Sequence, residues 1–188
     1  MNIILKSESP RRKELLSKMG YNFEIKAMNI DEKIDTNLSP FENVKRLGLL
    51  KASVNEMDDY GSILIGCDTI VVLDNEIFGK PKNKDDAFKM LKALNGKKHQ
   101  VMSGVGVIYK DYHYNFVEVS NVYFKNLSDD EIIGYISTGE CFGKAGSYAI
   151  QGIGGTLIDH IEGSLNNIIG LPTEKLKIIL EEIYGMEN

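Results

Sequence analysis

The sequence contains few cysteines and histidines, the residues from which disulfides and zinc sites are built. It contains no tryptophan, four prolines, three histidines and two cysteines in 188 residues. Cys67 and Cys141 lie in separate segments without CxxC or Cys/His spacing, so we expect reduced thiols and no cysteine zinc site. The histidines are scattered along the chain, and any metal ion is therefore expected to bind oxygen ligands.

Long hydrophobic runs and an excess of positive charge are also missing. The first apolar run covers only residues 3–5, and no stretch is long enough to span a membrane. We therefore expect no signal peptide, no membrane partner and a cytoplasmic protein. With 22 Lys and Arg against 27 Asp and Glu, the formal net charge is −5. This balance disfavours nucleic acid as a partner, so any cations that serve an anionic ligand have to be gathered in one cleft.

The length and the order of the predicted elements define a fold class. A chain of 188 residues suits one well-buried domain, residues 1–188, whether undivided or pinched into two lobes. Predicted helices and strands alternate at first, and a long antiparallel pair of strands follows. The pattern predicts an α/β fold with a mixed central β-sheet flanked by helices.

The segment Ser62–Lys82 places one acid inside an apolar run. Short β-branched runs at residues 63–65 and 70–73 predict two buried strands with Asp68 between them. A buried carboxylate is costly unless a metal ion or a lysine meets it. A hairpin after the second run would bring Lys80 near the end of the sheet that holds this acid. The alternative is a turn aspartate beside a surface lysine.

The first predicted helix begins with unfavourable charges. Ser9 as N-cap and Pro10 at the first helical position form a strong helix start. Residues 11–13 then place three cations in the first turn, where the helix dipole prefers anions. A bound anion would compensate them, and the hydroxyls of Ser7 and Ser9 suit phosphate. A solvated basic surface is the alternative, but the unmet local preference favours anion binding.

Two further segments supply polar candidates. In the helix that follows Ser39, Lys51 lies on the apolar face, so it either extends to solvent or serves a site, and we favour the site. Glu42 has capping-box spacing from Ser39, which is a sufficient structural role. The glycine-rich segment 139–155 matches no nucleotide fingerprint, but it offers Lys144 and Gln151 to a ligand.

Cations from four separate segments thus accompany Asp68 and one of two glutamates, Glu32 or Glu42. Several cations that converge with a buried carboxylate suit a polyphosphate carrying a divalent metal. The cationic candidates are Arg11, Arg12, Lys51, Lys80 and Lys144.

The motifs run in order along essentially the whole chain. They are Ser7-x-Ser9-Pro10-Arg11-Arg12-x-x-Leu15-Leu16, Ile30-Asp31-Glu32, Lys51-Ala52, Asp68-Thr69-Ile70-Val71, Gly79-Lys80-Pro81, Met90-Leu91-x-x-Leu94-x-Gly96-x-x-His99-x-Val101, Lys144-Ala145-Gly146-x-Tyr148-x-Ile150-Gln151-Gly152 and Gly170-Leu171-Pro172. In this combination the sequence resembles the Maf family of nucleoside triphosphate pyrophosphatases. The resemblance implies a Maf/ITPase-like fold of two lobes around a nucleotide-binding cleft, frequent homodimers, and metal-dependent hydrolysis to monophosphate and pyrophosphate.

The residues and the resemblance together lead to a hypothesis about the roles of single residues, in which Glu32 is preferred to Glu42 because Glu42 already has a capping role. Asp68 is the expected general base and a ligand of Mg²⁺ or Mn²⁺, with Glu32 as the second metal carboxylate. The expected substrate-binding residues are Ser7, Ser9, Arg11, Arg12, Lys51, Thr69, Lys80, Lys144 and Gln151. Among these, Arg12, Thr69 and Gln151 look like the subgroup that prefers dTTP and UTP, whereas relatives with Glu at position 151 prefer 7-methyl-GTP.

The chain departs from the family pattern at three places. Lys6 stands where Ala is usual, Gly143 where an Asp is common, and Leu165 where an aromatic is usual. Gly143 removes one carboxylate, which puts any metal-binding role of that acid in doubt. Two other functions remain open: a nucleotide-binding regulator of cell division or septum formation with incidental hydrolysis, and a nucleotidyltransferase. The intact Asp68 and Lys80 favour the hydrolase.

Overall fold

The computed structural model describes residues 1–27 and 30–186, which form a mixed β-sheet flanked by helices, as the sequence predicts. Its strands are β1 (Ile3–Leu5), β2 (Glu24–Ile25), β3 (Ile63–Leu73), β4 (Glu76–Phe78), β5 (Lys98–Tyr109), β6 (Tyr112–Phe124) and β7 (Ile158–Glu162). Its α-helices are α1 (Pro10–Lys18), α2 (Pro40–Ser53), α3 (Lys84–Leu94), α4 (Asp129–Ser137), α5 (Leu165–Ile169) and α6 (Thr173–Gly185). Short 3-10 helices cover Met57–Asp59, Ala145–Ser147 and Ile153–Leu157.

The sheet combines parallel and antiparallel pairs. Its strand order is β2-β1-β3-β5-β6-β7, and β4 pairs with β3 off this path. β1 runs parallel to both β2 and β3, whereas β4 is antiparallel to β3 and β7 is antiparallel to β6. A two-residue turn connects β5 to β6, the long pair of strands that the sequence predicts.

Strand β3 runs without a break through Asp68. The prediction of two strands separated by this acid is therefore wrong. Asp68 and Thr69 are the partly exposed residues of a strand that is otherwise buried. The turn to β4 follows the prediction: Asp74 and Asn75 have φ values of 49° and 66°, the left-handed pair that a tight hairpin turn requires.

The helix starts follow the capping signals of the sequence. Ser9, Ser39 and Ser128 are the N-caps of α1, α2 and α4. Glu42 and Glu131 complete capping boxes by accepting a hydrogen bond from the backbone N–H of the cap residue. The structural role predicted for Glu42 is therefore confirmed. The short helix α5 was not predicted.

The chain divides into two compact units, each with its own apolar cluster. The first unit comprises Met1–Asp68, Ser103–Glu118 and Gly170–Asn188, and the second comprises Thr69–Met102 and Val119–Ile169. In the first unit the apolar cluster is Ile4, Ala52, Leu64 and Ile108. In the second, residues of α3 and α4 pack with residues of β4, β5 and β6. Within residues 1–27 and 30–186, no helix has the length and apolar character needed to cross a membrane.

Candidate active site

Glycines let helix α2 lie very close to strands β3 and β5 in the first unit. A Cβ atom added to Gly66 of β3 would overlap the backbone of α2 beside Lys51, and one added to Gly104 of β5 would overlap the Val44 carbonyl. Such backbone contact requires strand positions without side chains. The last turn of α2, which carries Lys51, is therefore held against the part of β3 that carries Asp68.

Lys51 joins two carboxylates at this position. Its Nζ lies 2.6 Å from Asp68 Oδ1 and 2.8 Å from Glu32 Oε1. The side chains of Lys51 and Asp68 are 11% and 13% exposed, whereas that of Glu32 is 50% exposed. Ions with so little access to water are tolerated because each has an opposite charge within hydrogen-bond distance. The lysine that meets the Asp68 carboxylate is therefore Lys51, whereas the sequence predicts a hairpin that would bring Lys80 near it.

The segment before α1 brings together three of the predicted phosphate ligands. The Ser9 hydroxyl oxygen accepts a hydrogen bond of 3.5 Å from the Arg12 backbone N–H. The Arg12 guanidinium folds back over the same turn, where Nη1 donates to Ser7 Oγ at 3.1 Å. The Ser9 backbone N–H donates to Ser7 Oγ at 3.3 Å. Both hydroxyls and the guanidinium thus lie around a single turn of backbone.

The carbonyl of Gly170 connects this turn to strand β3. Arg12 Nε donates to it at 2.9 Å, and the Cys67 thiol donates to it at 3.3 Å. Because Cys67 immediately precedes Asp68, one acceptor fixes the arginine relative to the strand that carries the acid. Sequence reasoning gave Gly170 no separate role, and its only signal was membership of the Gly-Leu-Pro motif.

Arg11 lies partly buried beside Arg12 at the start of α1. Burial and, to a lesser degree, the charge of Arg12 lower the pKa of Arg11 below its ordinary value. The first turn of this helix contains no acidic residue to compensate the charge. An anionic ligand at this position would therefore favour the folded protein.

The other predicted site residues belong to the second unit. They are Thr69, Lys80, Lys144 and Gln151. The Gly146 N–H donates to the Gly79 carbonyl at 3.0 Å, so the corner that contains Lys80 and the segment that begins with Lys144 are in backbone contact. Lys80 is exposed, while Lys144 and Thr69 are partly exposed. The part that these residues play in substrate binding stays a prediction.

Gln151 is exposed and lies beside an unusual piece of backbone. The next residue, Gly152, has φ 104° and ψ −150°, a conformation that is essentially restricted to glycine. The Glu140 carboxylate accepts hydrogen bonds from the backbone N–H groups of Ile153 at 3.0 Å and Gly154 at 2.7 Å. Sequence reasoning missed this carboxylate, because nothing in the spacing of a lone glutamate reveals a backbone partner thirteen residues away.

Comparison of the sequence with known protein families identifies the family of the chain. A family model described as Maf-like protein matches residues 2–183. The chain belongs to the Maf-like protein family. Similar proteins include the dTTP/UTP pyrophosphatase of Caldicellulosiruptor bescii, 46% identical over 187 residues, which span 96% of this chain and 94% of that protein. The dTTP/UTP pyrophosphatase of Bacillus pumilus is 44% identical over 179 residues, 95% of each chain.

Solved structures show a more distant likeness to this Maf-like protein. The structure of the Staphylococcus aureus Ham1 protein aligns with a TM-score of 0.49 and 14% identity, over 84% of this chain and 80% of that chain. A dITP/XTP pyrophosphatase from Mycobacterium abscessus aligns with a TM-score of 0.43 and 11% identity, over 96% and 95% of the two chains.

Lys6, an unusual residue for the family, is neutralised inside the protein. Its Nζ lies 2.6 Å from Asp59 Oδ2 and donates to the Val54 carbonyl at 3.0 Å. Asp59 Oδ1 in turn lies 2.6 Å from Lys26 Nζ. Hydrogen bonds from Lys26 and Lys6 lower the pKa of Asp59 below its ordinary value. Lys6 is therefore occupied by an internal ion pair, although it immediately precedes Ser7 of the turn that is predicted to bind phosphate.

The other two departures from the Maf-like pattern, Gly143 and Leu165, lie in the second unit. Gly143 has φ 72°, with open space around an added Cβ, and Leu165 begins α5 with 48% exposure. Neither position supplies an oxygen ligand. The carboxylates that are predicted to hold a metal ion, Asp68 and Glu32, lie in the first unit.

The donor set suits a divalent cation shared with a ligand. Within residues 1–27 and 30–186, no group of three or more His, Cys, Asp or Glu side chains is arranged to hold a metal ion. Mg²⁺, however, is commonly bound by one or two carboxylates that are completed by substrate phosphates and water. Asp68 and Glu32 supply two such carboxylates, and with the Lys51 ammonium they carry a net negative charge. The site therefore fits a hard dication bound together with phosphate.

Proposed function

We propose that this protein is a nucleoside triphosphate pyrophosphatase that converts dTTP and UTP to the monophosphate and pyrophosphate. The observation that carries the proposal is the Asp68 carboxylate held in β3 by Lys51, on a strand that shares the Gly170 carbonyl with Arg12. The Maf-like family match and relatives named dTTP/UTP pyrophosphatase support it.

In the proposed reaction Asp68 is the general base. Its carboxylate takes a proton from a water molecule whose oxygen forms a bond to the α-phosphorus. The bond between the α-phosphorus and the bridging oxygen breaks, and pyrophosphate leaves with the electron pair. Lys51 holds the carboxylate in position, while Arg11 and Arg12 offset the negative charge of the phosphates.

A divalent cation, Mg²⁺ or Mn²⁺, belongs to the proposal. Asp68 and Glu32 are the residues that would hold it. When bound, the ion would offset phosphate charge and polarise a phosphoryl oxygen. The half-exposed Glu32 can turn toward the ion, since Lys51 retains the closer contact with Asp68.

The proposed preference for dTTP and UTP rests on Gln151. Uracil and thymine present two carbonyl acceptors around the N3–H donor, and an amide can donate to a carbonyl while it accepts from N3–H. A carboxylate at this position would face carbonyl lone pairs and would suit guanine instead. Arg12 and Thr69 complete the combination that resembles the dTTP/UTP-preferring subgroup.

The decisive experiment measures pyrophosphate release from a panel of nucleotides with Mg²⁺, with Mn²⁺ and with neither. We expect release from dTTP and UTP to exceed release from CTP, GTP and 7-methyl-GTP, and to require the added ion. Binding of UTP without pyrophosphate release would favour the regulator. Transfer of the nucleotide to an added sugar or alcohol would favour the nucleotidyltransferase.

A further inference from the structure

The Glu140 carboxylate anchors the backbone that follows Gln151. Oε1 accepts from the Ile153 N–H at 3.0 Å, and Oε2 accepts from the Gly154 N–H at 2.7 Å. These N–H groups lie at the start of the 3-10 helix Ile153–Leu157, whose own N-cap residue, Gly152, has no side chain to cap it. Glu140 supplies the missing cap from a distant part of the chain.

The same carboxylate restricts the shape of the residue next to Gln151. A Cβ atom added to Gly152 would overlap Glu140 Oε1. Gly152, with φ 104° and ψ −150°, is the single residue between the exposed Gln151 and the anchored N–H groups. A shift of the carboxylate would therefore be transmitted to Gln151 through one residue.

Contacts on both sides of Gln151 hold the rest of the segment. Before Gln151, the buried Ala149 packs against Gly154, where an added Cβ would lie 2.9 Å from the Ala149 nitrogen. After it, the Leu157 carbonyl accepts from the Lys125 N–H of the segment that follows β6 at 3.0 Å. An exposed side chain such as Gln151 takes its direction from its backbone. Beside that backbone the Gly152 carbonyl accepts from the Gly155 N–H at 3.2 Å, and the Glu140 carboxylate holds the N–H groups of Ile153 and Gly154.

We propose that Glu140 is a positioning residue that sets nucleobase selectivity by holding Gln151 through Gly152. The inference rests on the proposed function, because it assigns base recognition to Gln151. In this proposal Glu140 acts through the backbone and not by contact with the substrate. Its effect is therefore on the choice between bases and not on the attack at phosphorus.

Glu140→Gln tests this role with little change in size. The glutamine amide has a single acceptor oxygen, so its NH₂ group would face one of the two backbone N–H groups and lose that hydrogen bond. Glu131→Gln is the matched control in the same unit, because Glu131 also accepts from a backbone N–H, that of Ser128 at 2.7 Å. Glu140→Asp, which keeps the charge but shortens the reach, serves as a second variant if Glu140→Gln folds poorly.

The readout is the ratio of kcat/KM for UTP to kcat/KM for GTP, since both substrates share the ribose and the triphosphate. A loss of folded protein lowers both values equally and leaves the ratio unchanged. We expect Gln151→Ala to lower the ratio about tenfold and Glu140→Gln to lower it at least about threefold, at the weaker end for one base contact. Glu131→Gln should keep the wild-type ratio. In the double variant of Glu140 and Gln151, the second substitution should add little, because both act through one contact.

Two results would overturn the inference alone: a wild-type ratio in Glu140→Gln and Glu140→Asp while Gln151→Ala changes it, or additive effects in the double variant. Hydrogen exchange at the Ile153 and Gly154 amides gives an independent readout, and we expect about tenfold faster exchange in Glu140→Gln than in Glu131→Gln. Unchanged exchange would also contradict the anchor. A wild-type protein that releases no pyrophosphate from UTP or dTTP would instead overturn the proposed function and this inference with it.

Discussion

Substitution of Lys51 should lower the unfolding free energy more than substitution of Asp68 does, whereas substitution of Asp68 should lower the catalytic rate more. In Asp68→Asn the lysine retains Glu32 at 2.8 Å, so the main loss is one charge-assisted hydrogen bond. We expect this variant to lose at most about 2 kcal/mol of unfolding free energy. Lys51→Met instead leaves the 13% exposed Asp68 without its cation, a change that costs about 3–5 kcal/mol.

The order reverses for the reaction. Removal of a general base lowers kcat by about 10²–10⁴-fold, and we expect Asp68→Asn to reach this range while it stays folded. Urea unfolding followed by circular dichroism gives the stability, and a coupled assay of pyrophosphate release gives kcat. Lys92→Met is a matched control, because Lys92 pairs with Asp129 at the same short distance of 2.7 Å on the surface. It should cost no more than about 1 kcal/mol.

Three outcomes would refute this reasoning. Near-normal turnover by Asp68→Asn would remove the acid from the reaction, whatever its effect on stability. A Lys51→Met variant as stable as Lys92→Met would show that Asp68 does not need its lysine partner. If both variants unfold at the same urea concentration as the wild type, the pair contributes nothing measurable to the fold.

Three further predictions concern the surroundings of the site. Gly104→Ala should push α2 away from β5, lower the unfolding free energy by about 1–3 kcal/mol and reduce pyrophosphate release. The control is Gly134→Ala, which has open space around its new Cβ and should stabilise α4 by up to about 1 kcal/mol in urea unfolding. Equal effects of the two substitutions would contradict the argument that α2 lies close to β5. Asp59→Asn should lower the unfolding free energy by about 3–5 kcal/mol, more than Lys6→Met does, because it leaves the buried Lys6 without an anion. The pKa of Asp59 is lowered in the folded protein. The stability that Asp59 contributes should therefore be present above the ordinary carboxyl pKa of about 3.9 and be lost as the pH falls below it. Burial lowers the pKa of His99 to about 4, so the unfolded chain gains a proton below pH of about 6.5 while the folded protein does not. The unfolding free energy of the wild type should therefore fall by about 2 kcal/mol between pH 7.5 and 5. A His99→Gln variant that shows the same fall would exclude this histidine as the cause.

Local signals in the sequence predict the helix starts but not the continuity of the central strand. The serines at the starts of α2 and α4 were found because a capping box involves residues only three positions apart. The continuity of β3 was missed because Gly66 and Asp68 weaken the β propensity of the segment, and pairing with β1 and other strands outweighs that weakness. The short helix Leu165–Ile169 has too few residues for a periodic pattern.

The contact between Lys51 and Asp68 could not be predicted from the sequence, because it depends on the packing of α2 against the sheet. The sequence placed a lysine on an apolar helix face and an acid among strand residues, but seventeen positions separate them, and their meeting depends on which strands α2 covers. Gly66 and Gly104 decide this, since a side chain at either position would overlap the helix backbone. A helix moved outward by even one methyl group would stretch the 2.6 Å contact beyond hydrogen-bond distance. Gly66 and Gly104 have low β propensity and carry no functional group, but they determine the distance between Lys51 and Asp68 in the candidate active site.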